Sequence, residues 1–148
     1  LSVMPTGEVS AVAESCTGGL IQHSITSVPG SSQWFRGGFV AYSNELKMKV
    51  LGVESVALEQ HGAVSAEVVK QMAEGARKVT GADFAVATSG IAGPDGGTDE
   101  KPVGTVWIAV ATPNGVEAQL FKFINNRERN IMRSSQTALN LLRILLLK

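Results

Sequence analysis

Short apolar runs of strand length alternate along this chain with segments whose apolar residues recur every three or four positions, and that alternation most constrains the fold. Residues 9–13 read as a strand running into Glu14-Ser15-Cys16-Thr17-Gly18-Gly19. A helix follows, in which Leu20, Ile21, Ser24, Ile25 and Val28 share one face and Pro29-Gly30 is the stop. Residues 34–42 are aromatic and β-branched around Gly37-Gly38, a strand that another chain segment or a ligand approaches closely. Residues 43–51 form a short helix. Residues 65–79 are a better helix: Val68, Val69, Met72, Ala73, Ala76 and Val79 make one stripe, Ser65 is the N-cap and Gly81 the stop. An apolar run at 83–88 precedes a loop, residues 89–102, that is rich in glycine and carries two prolines; loops of this length are usually functional or disordered. Residues 103–112 and 116–124 are strands joined through Pro113-Asn114-Gly115. Ile131, Ser135, Ala138, Leu142 and Leu145 line one side of a final helix that packs on the sheet. His61 falls in a polar turn before Gly62. Strands alternating with helices, plus one hairpin, give an α/β layered domain with a mixed sheet. Without repeat, low-complexity tract or linker, residues 1–148 are read as a single domain.

Composition narrows the partners. The 148 residues carry 13 basic and 13 acidic side chains, and a formal charge of zero disfavours a polyanion, which is bound through clustered Lys and Arg. Nucleic acid is therefore not the expected partner. The one cysteine, Cys16, forms no internal disulfide, and no apolar run reaches the roughly 20 residues of a membrane helix. A cytoplasmic chain without membrane attachment is expected. Exposed apolar positions at Trp34, Phe35 and on the last helix are compatible with a homodimer. The 16 glycines are concentrated in short stretches, and function is sought there.

Three constellations carry possible chemistry. The first is Glu14 to Gly19 at a strand-to-helix junction, where unpaired N–H groups can hold an oxyanion or phosphate and Gly18-Gly19 let a substrate approach. Ser15 is there either a nucleophile or, with Thr17, a helix cap. The second is Tyr42-Ser43-Asn44-Glu45-Leu46-Lys47, which can turn Tyr42 and Lys47 toward one cavity. His23 and His61 lack an acidic neighbour to orient them, so Lys47 is the better base for Ser15, a lysine in a dry pocket having a lowered pKa. The alternative for Lys47 is an ordinary solvated helix residue. The third is the loop Ser89-Gly90-Ile91-Ala92-Gly93 through Gly97, phosphate-cradling in composition but without the Lys-Ser/Thr ending of a nucleoside-triphosphate loop. Lys101, Arg127 and Arg129 are the cations for an anionic group, or else members of a surface charge cluster.

Ala13 through Gly19, Pro29-Gly30-Ser31-Ser32, Gly37-Gly38, Tyr42 through Lys47, His61-Gly62-Ala63-Val64-Ser65, Thr88 through Gly97 and Lys101 through Trp107 together resemble the C-terminal domain family of the competence-damage-inducible protein CinA. Family members include nicotinamide-nucleotide amidohydrolases. The resemblance implies a three-layer α/β/α sandwich with a mixed, mostly parallel sheet. It further implies hydrolysis of the carboxamide of nicotinamide mononucleotide to nicotinate mononucleotide and ammonia, in pyridine-nucleotide salvage. Carried over by position, the nucleophile is Ser15, the base Lys47 and the active-site tyrosine Tyr42. Cys16, Thr17, Gly18 and Gly19 supply the oxyanion-binding turn. Asn44, Ser89, Gly90, Ile91, Ala92 and Gly93 join the substrate site, with a cation among Lys101, Arg127 and Arg129. No cofactor or metal is implied, and two histidines with one cysteine make a poor zinc site. Two departures stand out: residues 1–7 do not read as the family's leading helix, expected here short or missing, and of its two arginines on the last helix only the first is placed, at Arg127. Two other readings are carried forward, a thiol nucleophile at Cys16 and a non-catalytic nucleotide-binding module.

Overall fold

The computed structural model describes residues 7–146. Residues 1–6, on which most of the expectation about a leading helix falls, lie outside the described residues, as does the side chain of Leu145. Five strands, β1 (Ser10–Glu14), β2 (Phe35–Val40), β3 (Phe84–Gly90), β4 (Thr105–Thr112) and β5 (Gly115–Lys122), form one sheet in the order β2-β1-β3-β4-β5. β1 runs parallel to β2 and β3, β4 is antiparallel to β3 and β5, and so β4 alone points against the other four. The helices are α1 (Leu20–Thr26), α2 (Asn44–Leu51), α3 (Ser55–His61), α4 (Ala66–Thr80) and α5 (Arg127–Leu146). α1 and α5 cover one face of the sheet; α4, carrying α2 and α3, covers the other. This is the three-layer α/β/α sandwich.

The two faces differ because side chains alternate along each strand. Ala11, Ala13, Ala85, Ala87, Ala109 and Ala111 all face α4 and are buried. A floor of methyl groups lets that helix lie close, and Val68, Val69 and Met72 fill the gap, each fully buried and each contributing about 1.5–3 kcal/mol. Val12, Val86, Val106 and Ile108 face α1 and α5, where Ile21, Ile25, Ala138 and Leu142 meet them. The Ser65 hydroxyl accepts from Val68 N–H at 3.2 Å, the expected cap of α4, and Gly81 ends it at φ 71°.

Local expectations are corrected at several points. Residues 55–61, left without structure around a polar turn, are helix α3, whose apolar Ala57 packs with α4 and whose end is Gly62. Ser89 and Gly90 belong to β3, paired with Trp107 and Val106, and the loop after β3 is shorter than expected. β4 starts at Thr105 rather than 103, and β5 stops at Lys122. Trp34 precedes β2 and is only 2% exposed, packed with Ile21 and Ile25, so it offers nothing to a second copy. Thr112 pairs with Gly115, and Pro113-Asn114 make the expected hairpin turn. No helix among the described residues is long and apolar enough to cross a membrane.

Candidate active site

β1 delivers Ser15 to the carboxyl end of the sheet, where the chain turns into α1. Gly18 at φ 61° and Gly19 at φ 103° make that turn, a conformation L side chains rarely adopt. β2, beside β1, delivers Tyr42 to the same end. Ser43 then caps α2, its hydroxyl accepting from Leu46 N–H at 3.2 Å. One turn into α2, Lys47 points back under the sheet and is 1% exposed. Its Nζ donates to Ser15 Oγ at 3.1 Å and to the Tyr42 carbonyl at 3.1 Å. Sequence spacing alone could not say that residues 32 positions apart meet; parallel pairing of β1 and β2 does it.

Burial lowers the Lys47 pKa below that of an ordinary lysine, because the interior disfavours the charged form, and no carboxylate lies within ion-pair distance among the described residues. The protein thus sets an amine that is easier to deprotonate than an ordinary lysine against a hydroxyl, and in its neutral form such an amine makes serine nucleophilic. Cys16, one residue on, turns into the core beside Ile21 and Trp34, and burial pushes its thiol up to about 12. A thiol that stays protonated is a poor nucleophile, which weighs against the cysteine reading. His23 and His61 are both exposed, and Lys47 is what contacts Ser15.

The turn is partly filled from inside. Glu14 Oε1 accepts from Ile21 N–H at 3.0 Å and Oε2 from Gln22 N–H at 3.0 Å, so these two donors at the start of α1 are not open to a substrate anion. The N–H groups of Thr17 and Gly19 have no acceptor among the described residues and can face an oxyanion, whereas Cys16 N–H meets its own thiol and Gly18 N–H donates to the Ser15 carbonyl at 3.1 Å. Thr17 Oγ1 meets Thr88 Oγ1 at 2.9 Å, fastening the turn to β3.

Around this centre the other expected residues separate into two groups. Arg127, opening α5, donates to the Gly93 carbonyl at 2.7 Å and to the Tyr42 hydroxyl at 3.4 Å, so Tyr42, Gly93 and Arg127 form one rim. The Tyr42 ring is 60% exposed; its carbonyl, rather than its phenol, orients Lys47. Asn130, one turn along α5 and buried, donates to the Ala92 carbonyl at 3.0 Å and holds the same loop. Ile91 continues the strand pairing, its N–H donating to Thr105, and Asn44 is exposed at the start of α2. Ser89, near the end of β3, instead donates to the Ala63 carbonyl at 2.8 Å, and Lys101 to the His61 carbonyl at 2.6 Å; the first ties β3 to the α3–α4 connection and the second ties the glycine loop to the end of α3. Arg129 lies with Phe123, Met132, Arg133, Gln136 and Thr137 along an outer groove, apart from the rim. Of the Gly37-Gly38 pair, Gly38 makes room for a chain segment: a Cβ there would sit 2.2 Å from the Val12 carbonyl and 2.7 Å from Gln22 Oε1, whereas a Cβ on Gly37 would meet nothing within 4 Å. Glu14 stands in the first constellation without a role of its own, and Asn130 is not among the residues the sequence points to. An acidic residue ending an apolar strand, and an asparagine three positions after Arg127, were the available signals.

The family model for the CinA C-terminal domain matches residues 3–146. A CinA-like protein of Shewanella sp. (strain ANA-3) is 53% identical over 136 residues, covering 92% of this chain and 32% of its own length. A Shewanella oneidensis protein named nicotinamide-nucleotide amidohydrolase PncC is 52% identical over 136 residues, with coverages of 92% and 32%. This chain thus spans about a third of the length of the curated relatives it matches. Among solved structures, a competence/damage inducible protein from Agrobacterium tumefaciens superposes with a TM-score of 0.93 at 43% identity, covering 98% of this chain and 88% of that one. A CinA superfamily protein from Escherichia coli gives 0.91 at 32% identity, with coverages of 98% and 83%. A family model that matches nearly its whole length and a fold shared with solved relatives establish that the chain belongs to the CinA C-terminal domain family.

Proposed function

We propose that this domain is a serine–lysine amidohydrolase that cleaves the carboxamide of nicotinamide mononucleotide, releasing ammonia and nicotinate mononucleotide in cytoplasmic pyridine-nucleotide salvage. One observation carries the reading: the buried Lys47 amine, unpaired with any acid among the described residues, lies 3.1 Å from Ser15 Oγ. Lys47 takes the Ser15 proton as Oγ bonds to the amide carbon. The carbonyl oxygen becomes an oxyanion facing the N–H groups of Thr17 and Gly19. As the tetrahedral species collapses, Lys47 returns the proton to the departing nitrogen, and ammonia leaves with the C–N bond broken. Water, deprotonated by Lys47, then hydrolyses the ester and restores Ser15. Arg127, with the Tyr42 hydroxyl and the Gly93 loop, holds the ribose phosphate at the rim; Lys101 and Arg129, engaged or placed elsewhere, do not. The name of the Shewanella oneidensis relative supports the choice of substrate.

The test is ammonia release across nicotinamide mononucleotide, related pyridine nucleotides and free nicotinamide. Ser15→Ala and Lys47→Ala should abolish it while circular dichroism stays unchanged, and turnover retained in both would refute the mechanism. Tight mononucleotide binding without ammonia release from the parent chain would instead identify a non-catalytic nucleotide-binding module.

A further inference from the structure

Glu14 is fully buried at the end of β1, immediately before Ser15. A carboxylate there costs several kcal/mol unless its oxygens are partnered, and both are. Besides the two main-chain donors of α1, Oε2 accepts from the Gln22 side-chain amide at 2.9 Å. That same Nε2 reaches across to the Phe39 carbonyl of β2 at 3.2 Å, over the space left by Gly38. The Glu14 main-chain carbonyl accepts from Ala41 N–H at 2.9 Å, one residue before the Tyr42 carbonyl that holds Lys47. α1 has no side-chain cap at Gly19 and no acidic residue in its first turn, so the charge opposing its dipole comes from Glu14. Three chain pieces that set the distance between Ser15 Oγ and Lys47 Nζ therefore converge on one side chain and its amide partner: the turn after β1, the start of α1 and the exit of β2.

We propose that Glu14 and Gln22 are positioning residues for acyl transfer at Ser15, a buried clamp that holds the nucleophile's turn and the β2–α2 connection at the separation the serine–lysine pair requires. The inference rests on the amidohydrolase reading above. Glu14 acts through the turn rather than on substrate, since it is fully buried and both of its oxygens are engaged by the clamp. In Glu14→Gln the side chain keeps its shape but turns an amide N–H₂ toward N–H donors, so at least one of the three bonds is lost. Glu14→Asp keeps the charge and withdraws it by one methylene. Gln22→Met leaves both main-chain bonds to Glu14 and removes the two bonds of the side-chain amide, to Glu14 Oε2 and to the Phe39 carbonyl.

The experiment measures the rate at which a fluorophosphonate labels Ser15 in the full chain, located by peptide mass spectrometry, together with kcat and KM for ammonia release. Rates are referred to the folded fraction seen by circular dichroism. Displacing a nucleophile by about 1 Å costs on the order of 100-fold. Glu14→Gln should therefore lose labelling rate and kcat together by about that factor with KM nearly unchanged, Glu14→Asp should recover part of the loss, and Gln22→Met should lose about tenfold. A folded Glu14→Gln labelled as fast as the parent overturns the inference. If Glu14→Gln does not fold, Gln22→Met decides, and unchanged labelling there overturns it equally. A parent chain not labelled at Ser15 refutes the amidohydrolase reading itself, and the inference with it. A labelled parent with unaffected variants refutes the inference alone.

Discussion

Gly75 offers a direct test of how Lys47 is placed. It lies inside α4, where it meets the end of α2: a Cβ added at Gly75 would stand 1.9 Å from the Leu51 carbonyl oxygen and 2.8 Å from its carbon. Both are main-chain atoms, with no flexible side chain to swing away. Ordinary contact begins at 3.4 Å, so in Gly75→Ala the two helices must part by about 1.5 Å. Helix propensity alone argues the opposite, since alanine inside a helix is worth about 0.8–1.0 kcal/mol over glycine. Overpacking costs about 1–3 kcal/mol. The clash is with backbone, which places the cost at the upper end and leaves a net loss of about 1–2 kcal/mol. For a chain of this size that lowers the melting temperature by roughly 3–6 °C. Function should suffer more than stability. Lys47 is one turn from Leu51 on the same short helix, and its 3.1 Å bond to Ser15 does not survive a displacement of that size. A misplacement of about 1 Å costs on the order of 100-fold in kcat. Chemical denaturation gives the stability change and ammonia release gives kcat. If Gly75→Ala is as stable as the parent or more so, or keeps full turnover, the close approach of α2 to α4 is not what positions Lys47.

The rest follow from the site. Catalysis needs Lys47 neutral, so kcat/KM should rise with pH through a value below the ordinary lysine pKa of about 10.4, and Lys47→Arg, which cannot lose its proton, should be inactive at every pH. A lysine whose pKa is lowered by folding binds fewer protons folded than unfolded, so its contribution improves as pH rises; unfolding free energies of the parent relative to Lys47→Met should shift toward the parent as pH rises toward the ordinary lysine value of about 10.4. A shift the other way would refute the burial argument. Cys16→Ser should retain activity, and iodoacetamide should leave the folded parent active, because the thiol is buried and held protonated. Arg127→Ala should raise KM for the mononucleotide about tenfold or more, the range lost with a hydrogen bond to a charged group, whereas Arg129→Ala should leave KM unchanged. Equal effects from the two arginines would remove the rim from the substrate site.

Much of this was legible locally. The apolar period located α1, α2, α4 and α5 and all five strands, because burying one face of each element demands that spacing. Ser65, Gly81 and Pro113-Asn114 carry cap and turn chemistry that does not depend on the rest of the chain. α3 escaped because it is one short, mostly polar piece, stabilised by Ala57 against α4 rather than by a stripe of its own. Trp34 was misplaced because an aromatic beside a strand reads the same whether it faces water or the α1–α5 core. By itself, the order of residues determined the elements and supplied a serine on a strand-to-helix turn and a lysine early in a helix, since those depend on neighbours a few positions away. Tertiary structure alone decided that Ser15 meets Lys47, that Cys16 faces the core, that Arg127 and not Arg129 reaches Tyr42, and that Glu14 is spent on the turn. Each of these depends on the packing around parallel β1 and β2, and the burial that comes with it lowers the pKa of Lys47.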